Sequence, residues 1–170
     1  MQFQPYVLDR TNAHIPVSIE PMTQADAETT NLPPEWQTSW TSEYLAKMRF
    51  EKYAAKVGNE LIALGAYEIL NNLLVVHIVY MEAQPGSNPT LDGGKPKYTG
   101  IGRLMIAYGI KLSIDNGFAG DVVLEAKTTK LARHYERDFG AVQLPVFGSA
   151  APRYLIADET AKRIFFPYLV

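Results

Sequence analysis

The stretch Lys97-Tyr98-Thr99-Gly100-Ile101-Gly102 leads directly into a pattern of helical period that continues to Asn116. Glycine has no Cβ, so two glycines at the start of a helix allow a ligand to approach the backbone closely. The first turn of an α-helix leaves its N–H groups without partners in the helix, and the helix dipole places a partial positive charge there. We therefore predict that this helix entrance binds an anionic group such as phosphate.

The composition excludes several classes of site and partner. The chain has 170 residues, no cysteine, three histidines and a net charge of −2. The lack of cysteine excludes disulfides and thiolate metal sites, and His14, His77 and His134 lack the spacing of a metal site. The low net charge predicts no nucleic-acid partner. No apolar run approaches the ~20 residues of a membrane span and no signal segment is visible, so we expect a cytoplasmic protein without a membrane partner.

The middle of the chain predicts a sheet. Segments 53–57, 61–70 and 73–81 read as strands, and the turn-like pairs Gly58-Asn59 and Asn71-Asn72 separate them. Such short connections join antiparallel neighbours. After the glycine-rich helix, further strands are predicted at 121–126, 141–146 and 153–157, with one helix that begins at Thr128 or Thr129 and a final helix that Asp158 caps. This order predicts the α/β (α+β) class, with a mixed, mostly antiparallel central sheet flanked by helices.

The first fifty residues carry fewer signals. Thr23, followed by Asp26 three residues later, predicts a helix N-terminus. Residues 42–50 predict a second short helix with one apolar face. Trp36 and Trp40 are expected in the aromatic core, and the alternative is that they line a substrate pocket.

The order of meander, glycine-rich helix entrance, strand and second helix resembles the GNAT superfamily of N-acetyltransferases. Its pattern Arg/Gln-x-x-Gly-x-Gly/Ala is matched at 97–102 with lysine in the first position. The agreement extends over a core of about 19–157, followed by a C-terminal helix at about 158–167, and implies a single domain over 1–170. The segment 83–96 reads as an insertion into the family's compact pattern.

A narrower resemblance is to a group of small bacterial members of this superfamily. It rests on Trp36 and Trp40, on the run 124–128 and on the pair His134-Tyr135.

The resemblance implies acetyl-CoA as the cosubstrate. Backbone amides from about 98 to 103 would hold its pyrophosphate, and the backbone at 79–81 would pair with the pantetheine and the acetyl carbonyl. Thr128 and Thr129 stand where the family often has asparagine. Lys130 and Arg133 would face the 3′-phosphate, with a solvated helix face as the alternative. The expected cofactor-binding residues are Val79, Tyr80, Met81, Lys97, Tyr98, Thr99, Gly100, Ile101, Gly102, Arg103, Thr128, Lys130 and Arg133.

Three residues are candidates for proton transfer. By resemblance, Tyr135 would protonate the departing CoA thiolate, and its alternative role is that of a core aromatic. A phenol of pKa ~10 can give a proton to sulfur as charge develops on it. An acceptor amine must lose a proton, for which Glu82 and His77 are the candidates. The alternatives are a solvated charge at a loop edge for Glu82 and a hydrogen-bonded sheet histidine for His77.

The function implied is direct transfer of an acetyl group from acetyl-CoA to an amine in a ternary complex. The alternatives are a non-catalytic acyl-CoA-binding or interaction module and a structural domain without a ligand. The expected partners are acetyl-CoA and an amine acceptor, with a homodimer as a further alternative. The sequence leaves the acceptor open between a small amine, an amino acid, a protein N-terminus and a lysine side chain.

Overall fold

A computed structural model describes residues 1–88, 95–145, 148 and 150–170 of the chain. Residues 89–94 of the predicted insertion and residue 146 of the predicted strand 141–146 lie outside these ranges. The strands are β1 (Tyr6–Leu8), β2 (His14–Pro16), β3 (Ser18–Pro21), β4 (Phe50–Val57), β5 (Glu60–Leu70), β6 (Val75–Ala83), β7 (Val122–Glu125), β8 (Val142–Leu144) and β9 (Arg153–Ile156). The helices are α1 (Gln24–Thr29), α2 (Ile101–Asp115), α3 (Thr129–Phe139) and α4 (Asp158–Phe165).

Seven strands form one sheet in the order β3-β4-β5-β6-β7-β9-β8, and β1 pairs with β2 in a separate hairpin. Strands β6 and β7 are parallel, whereas β3 with β4, β7 with β9 and β8 with β9 are antiparallel. A parallel pair needs a crossover connection, and α2 lies in the connection between β6 and β7. The predicted fold class, a mixed and mostly antiparallel sheet with flanking helices, is confirmed.

The chain forms two compact units. The first comprises Met1–Ala66, Tyr80–Met105 and Tyr168–Val170, and the second comprises Tyr67–Val79 and Ile106–Pro167. The single domain predicted over the whole chain stays a prediction. Among the described residues, no helix combines the length and the hydrophobicity that crossing a bilayer requires.

In the first unit, the N-terminal hairpin is joined to the segment that precedes α2. The Leu8 N–H donates to the Thr99 carbonyl at 3.1 Å, and the Thr99 N–H donates back to the Leu8 carbonyl at 2.8 Å. Trp36 and Trp40 are buried, with 8% and 2% of their surface exposed, so the aromatic-core prediction is confirmed.

In the second unit, one glycine allows α2 to pack closely on the sheet. A Cβ on Gly109 would lie 3.1 Å from the Ile78 side chain on β6 and 3.2 Å from the Tyr67 ring on β5. Tyr67 also meets Tyr108 edge-on, with ring centroids 5.9 Å apart. A larger residue at 109 would have to push the helix away from these strands.

Two of the predicted helix starts are confirmed. At α1, the Asp26 N–H donates to Thr23 Oγ1 at 3.1 Å and the Thr23 N–H donates to Asp26 Oδ2 at 2.9 Å, which forms a capping box. At α3, Thr128 is the N-cap. At α4, the prediction that Asp158 caps the helix is wrong. The N-cap is Ala157, and Asp158 lies inside the first turn, where its negative charge complements the helix dipole.

The helix predicted at 42–50 is wrong. The chain there forms turns, and Phe50 already begins β4. The Lys52 ammonium donates to the Leu45 carbonyl at 2.8 Å and so joins this turn segment to β4. Leu45 is buried but Met48 is fully exposed, so the apparent apolar face is not a packing face.

The strand predicted at 73–81 begins two residues later, at Val75. Leu73 and Leu74 lie at the tip of the β5–β6 hairpin, and each has 59% of its surface exposed. Leu74 has a φ of 56°, in the left-handed region that costs free energy for a residue with a branched side chain. The prediction included Leu73 and Leu74 in the strand because apolar residues at a hairpin tip have the same pattern as the start of a buried strand.

We predict that Leu74→Asn stabilises the protein by about 0.5–1 kcal/mol, because asparagine tolerates the left-handed conformation better than leucine does. The free energy of unfolding from urea denaturation measures this. Leu73→Asn is the matched control, since Leu73 is equally exposed and has no positive φ. Equal stability changes in the two variants would contradict the prediction.

Candidate active site

The entrance of α2 begins with Gly100, which has a φ of 85°. Its carbonyl accepts the Leu104 N–H at 3.0 Å, so Gly100 is the N-cap and Ile101 is the first helical residue. Gly102 is exposed, and a Cβ built on it would meet no atom within 4 Å. The backbone of the first turn is therefore open on the side of Gly102, as an approaching phosphate requires.

The N–H groups just before this entrance are engaged within the first unit. Those of Lys97, Tyr98 and Thr99 donate at 2.9, 3.1 and 2.8 Å. The acceptors are, in the same order, Gly86 O, Ser87 Oγ and Leu8 O. The N–H groups of Tyr98 and Thr99, which lie in the predicted range of donors, are therefore already engaged. A ligand at this entrance would bind to the N–H groups of Gly100 and of the residues that follow it.

The Lys97 side chain is paired with Glu60 at the start of β5. Its Nζ lies 3.0 and 2.9 Å from the two carboxylate oxygens, and the hydrogen bond raises the pKa of Lys97. The Tyr98 hydroxyl donates to the same carboxylate at 3.2 Å. Lys97 and Tyr98 thus anchor the segment before α2 to Glu60 at the start of β5.

The end of β6 carries Val79 in the second unit and Tyr80 and Met81 in the first, all of them half-buried. The Tyr80 hydroxyl lies 2.8 Å from Thr38 Oγ1, and its ring lies 5.6 Å from the Trp40 ring. Burial raises the pKa of Tyr80. The backbone contacts predicted for these three residues with pantetheine stay a prediction.

Glu82 is buried, with 5% of its surface exposed, so its interpretation as a solvated loop-edge charge is wrong. Its carboxylate accepts the N–H groups of Gln37 at 2.6 Å and Thr38 at 3.3 Å and the indole N–H of Trp40 at 3.2 Å. Burial raises the pKa of Glu82, and these hydrogen bonds oppose the rise. The carboxylate therefore anchors residues 37–40 to β6 through three hydrogen bonds.

His77 lies in the second unit beside Glu125, with its Nε2 at 2.6 Å from Glu125 Oε2. Arg153 donates from Nε and Nη2 to Glu125 Oε1 at 3.2 and 2.7 Å. Burial alone would raise the pKa of Glu125, but His77 and Arg153 outweigh it and lower the pKa to about 2. The interpretation of His77 as a hydrogen-bonded sheet histidine is confirmed, and its role in proton transfer stays a prediction.

Tyr135 lies on α3 in the second unit, with 5% of its surface exposed. Its ring meets that of Tyr154 edge-on, with centroids 6.1 Å apart. Burial, assisted by the negative charge of Glu125, raises the pKa of Tyr135 to about 12. The phenol is therefore protonated at neutral pH, as a proton donor must be. The packing equally fits a core aromatic.

The N-terminus of α3 carries the remaining predicted contacts. Thr128 Oγ1 accepts the Leu131 N–H at 3.1 Å, so its hydroxyl already caps the helix. Lys130 and Arg133 are exposed on the first turns of the helix. Their contacts with a 3′-phosphate stay a prediction.

The two units hold different parts of the predicted site. The first contains 97–103, Tyr80, Met81 and Glu82, and the second contains His77, Val79, Thr128, Lys130, Arg133 and Tyr135. The sequence indicates only that Glu125 lies on a strand that neighbours the strand of His77, and it assigns Arg153 no role. The register of the strands, which sets Arg153 opposite Glu125, could not be predicted. Among the described residues, no group of three His, Asp or Glu side chains could hold a metal ion.

Several solved structures have a similar architecture. No family model matches the sequence, and no curated protein matches it. The GNAT domain of S. lividans PAT superimposes with a TM-score of 0.58 at 14% identity, covering 89% of this chain and 95% of that domain. The chain has the GNAT fold.

Two further structures with the GNAT fold illustrate the range of proteins to which the chain is similar. Aminoglycoside acetyltransferase AAC(6')-Ib, solved with coenzyme A and kanamycin, gives a TM-score of 0.57 at 18% identity, covering 86% of this chain and 97% of that one. The ribosomal-protein-S18-alanine N-acetyltransferase from Escherichia coli gives 0.55 at 13%, covering 82% and 90%. At these low sequence identities, the structural similarity shows that this chain shares the fold of those proteins, and it shows no more than that.

We predict that Glu82→Gln lowers the free energy of unfolding by about 1–3 kcal/mol, because the amide NH₂ would face buried N–H donors that lose their acceptor. Urea denaturation measures the loss. Glu35→Gln, at an exposed position next to the same segment, is the control and should change stability by less than about 0.5 kcal/mol. An unchanged stability of Glu82→Gln would show that the carboxylate does not anchor residues 37–40.

Proposed function

We propose that this protein is an acetyl-CoA-dependent N-acetyltransferase that moves the acetyl group directly to an amine. The observation that carries the proposal is the open first turn of α2 at Gly102, at the place where the sequence matches the GNAT pattern. The fold adds support, since several structures that share it were solved with coenzyme A or acetyl-CoA.

The residues at this entrance fit the anionic part of acetyl-CoA. The N–H groups of Ile101 and Gly102 have no acceptor within the helix, and the helix dipole favours a negative group beside them. Gly102 adds no side chain that would keep a pyrophosphate away. Lys130 and Arg133, both exposed, are the candidates for the 3′-phosphate.

In this reaction some groups would position acetyl-CoA, and others would transfer protons. Acetyl-CoA supplies an activated thioester. The backbone of 79–81 would orient it and polarise its carbonyl, which contributes through positioning and through stabilisation of the developing negative charge. The amine attacks the carbonyl carbon, the C–S bond breaks, and Tyr135 gives its phenolic proton to the leaving sulfur.

The acceptor amine must also lose a proton. Glu82 accepts three hydrogen bonds that anchor residues 37–40, so protonation of its carboxylate would weaken that anchor. His77 is the remaining candidate, and one of its ring nitrogens is free of a hydrogen bond to Glu125.

The second candidate function is an acyl-CoA-binding module without catalysis. The engaged carboxylate of Glu82 favours it, since one of the two predicted bases is already used for structure. Release of CoA in the presence of an amine distinguishes the two functions.

We predict that Gly102→Ala weakens acetyl-CoA binding at least tenfold and yet makes the fold more stable by up to ~1 kcal/mol, because alanine favours a helix. Calorimetric titration gives the affinity, and thermal unfolding gives the stability. Ile114→Ala, at the exposed far end of the same helix, is the control and should bind acetyl-CoA like the wild type. Wild-type affinity in Gly102→Ala would overturn the assignment of this entrance.

We predict that Tyr135→Phe lowers kcat about 10²-fold, the size of a general-acid contribution, while the Kd for acetyl-CoA stays within twofold. The assay is CoA release with a panel of a small amine, an amino acid, an aminoglycoside, a peptide N-terminus and a peptide lysine. Tyr154→Phe, which removes the hydroxyl of the neighbouring tyrosine, is the control and should retain turnover.

Unchanged turnover in Tyr135→Phe would contradict its role as an acid. Binding of acetyl-CoA without CoA release for any amine of the panel would favour the binding module.

A further inference from the structure

Four aromatic side chains of the first unit form a continuous column. The ring centroids of Phe3 and Tyr168 are 5.9 Å apart, and those of Tyr168 and Tyr6 are 5.0 Å apart. The Tyr6 ring then stacks on the His14 ring, with centroids 4.1 Å apart and 8° between the ring planes. All four residues belong to the first unit, and we call them the aromatic column.

The aromatic column runs from the interior of the unit to its surface. Tyr168 is buried, with 3% of its surface exposed, whereas Phe3 and Tyr6 are half-buried and His14 is exposed. A ring that has one face on Tyr6 meets the solvent through its other face and its edge. The aromatic column therefore ends in a ring that can accept a further planar group.

The register of the β1–β2 hairpin produces this stack. Leu8 pairs with His14, and Tyr6 lies two residues before Leu8 on the same strand. Tyr6 and His14 are therefore diagonal neighbours on one face of the hairpin. Val7 belongs to the opposite face and is buried, with 1% of its surface exposed. The alternation directs Val7 into the core and leaves the outer end of the aromatic column at the surface.

The same hairpin is bonded to the segment that leads into α2. Leu8 pairs with His14 and also forms an antiparallel bridge with Thr99. Paired residues of antiparallel strands have Cα atoms about 4.5–5.5 Å apart, so the Cα of His14 lies within about 11 Å of the Cα of Thr99. Gly100 and the open first turn of α2 follow Thr99 directly. The exposed end of the aromatic column is therefore close to the turn that the proposed function assigns to pyrophosphate.

A charge effect indicates independently that the aromatic column adjoins this turn. Burial raises the pKa of Tyr168 to about 12, and the positive charge of Arg103 opposes the rise. A charge acts on a pKa in this way at short range. Arg103 lies in the first turn of α2, so the inner part of the aromatic column also lies beside the helix entrance.

A nucleotide matches both features. Its phosphates would bind at the open turn, and one ribose separates them from a planar base. Bases stack on the faces of aromatic side chains, histidine among them. We propose that the outer face of His14 stacks on the adenine ring of acetyl-CoA while the pyrophosphate occupies the first turn of α2. The identification of the nucleotide as acetyl-CoA rests on the proposed function.

The alternative is that the ring stack serves the hairpin alone. A diagonal aromatic pair stabilises two paired strands whether or not a ligand binds. The two interpretations differ in their response to a base, because a purely structural stack does not distinguish a ligand with adenine from one without it.

Proton NMR of the full chain with two probes tests the stack on adenine. ADP and inorganic pyrophosphate both carry two linked phosphates, and only ADP has a base. ADP should shift the Gly102 N–H signal and move the ring C–H signals of His14 upfield, because the ring current of adenine acts on protons above its face. Pyrophosphate should shift the Gly102 N–H signal alone. His14→Phe identifies the His14 signals among the three histidines.

Two results of this titration overturn the proposal. One is an ADP response at Gly102 that leaves the His14 ring signals in place. The other is an equal shift of the His14 ring signals with ADP and with pyrophosphate.

Substitutions at His14 test whether the stack contributes to affinity. His14→Ala should weaken ADP binding about tenfold, the loss of one stacked base, and should keep pyrophosphate binding within twofold. His14→Phe should bind ADP like the wild type, because it restores an aromatic face. Gln4→Ala, at an exposed position of the same N-terminal segment, is the control and should also bind like the wild type. Wild-type ADP affinity in His14→Ala overturns the proposal.

His14→Leu keeps the test valid if His14→Ala loosens the hairpin. Leucine retains a bulky side chain on β2 but has no aromatic face, so this variant should bind ADP about tenfold more weakly than His14→Phe does. Slow exchange of the Leu8 and Thr99 amides, which bond to each other's carbonyls, reports an intact hairpin in each variant. Equal ADP affinity of the leucine and phenylalanine variants overturns the proposal.

Release of CoA with the amine panel separates this inference from the proposed function. An ADP response at His14 and Gly102 without CoA release for any amine supports the stack and contradicts the proposed transfer reaction. Release of CoA by a protein whose His14 signals do not respond to ADP overturns the stack and leaves the proposed function in place.

Discussion

The backbone N–H groups of residues 97–99 donate hydrogen bonds within the chain, whereas the first turn of α2 offers donors that the helix itself cannot satisfy. Gly100 separates the two groups, because its φ of 85° turns the chain from an extended segment into the helix. Three hydrogen bonds hold the segment before the turn, and the turn after it is open at Gly102. The proposed anion site would therefore rest on backbone donors, since the Lys97 side chain is paired with Glu60.

Strand β6 carries residues that pack the sheet and also the two candidate bases. Val76 and Ile78 are buried, and Ile78 meets α2 at Gly109. His77, which lies between them, has the opposite orientation and is bound to Glu125. At the far end of the strand, Glu82 anchors residues 37–40. Alternation along the strand therefore places His77 on the face opposite to Val76 and Ile78, the two buried residues that pack the sheet.

Much of this architecture could be predicted from local patterns. The glycine pair, the capping threonines Thr23 and Thr128 and the hairpin turns are signals within a few residues, and the structure confirms each of them. The helix predicted at 42–50 is replaced by turns, in which Leu45 is buried, Met48 is exposed and the Lys52 ammonium binds the Leu45 carbonyl.

The residues around the candidate bases could not be predicted in the same way. Glu82 and its donor Gln37 are 45 residues apart, and His77 and Glu125 are 48 residues apart. No periodicity connects such positions, because only the order of the strands brings them together. The sequence indicates Glu82 and His77 as candidate bases, but it could not show that Glu82 anchors residues 37–40 and that His77 pairs with Glu125.

The central claim is that the first turn of α2 binds the pyrophosphate of acetyl-CoA. Amide NMR of the full chain with and without acetyl-CoA tests it at single residues. The account predicts that the N–H signals of Ile101 and Gly102 shift and exchange more slowly with solvent, while Tyr98 and Thr99, already bonded to Ser87 and Leu8, keep their exchange rates. Binding of acetyl-CoA that leaves the signals of Ile101 and Gly102 unchanged would contradict it.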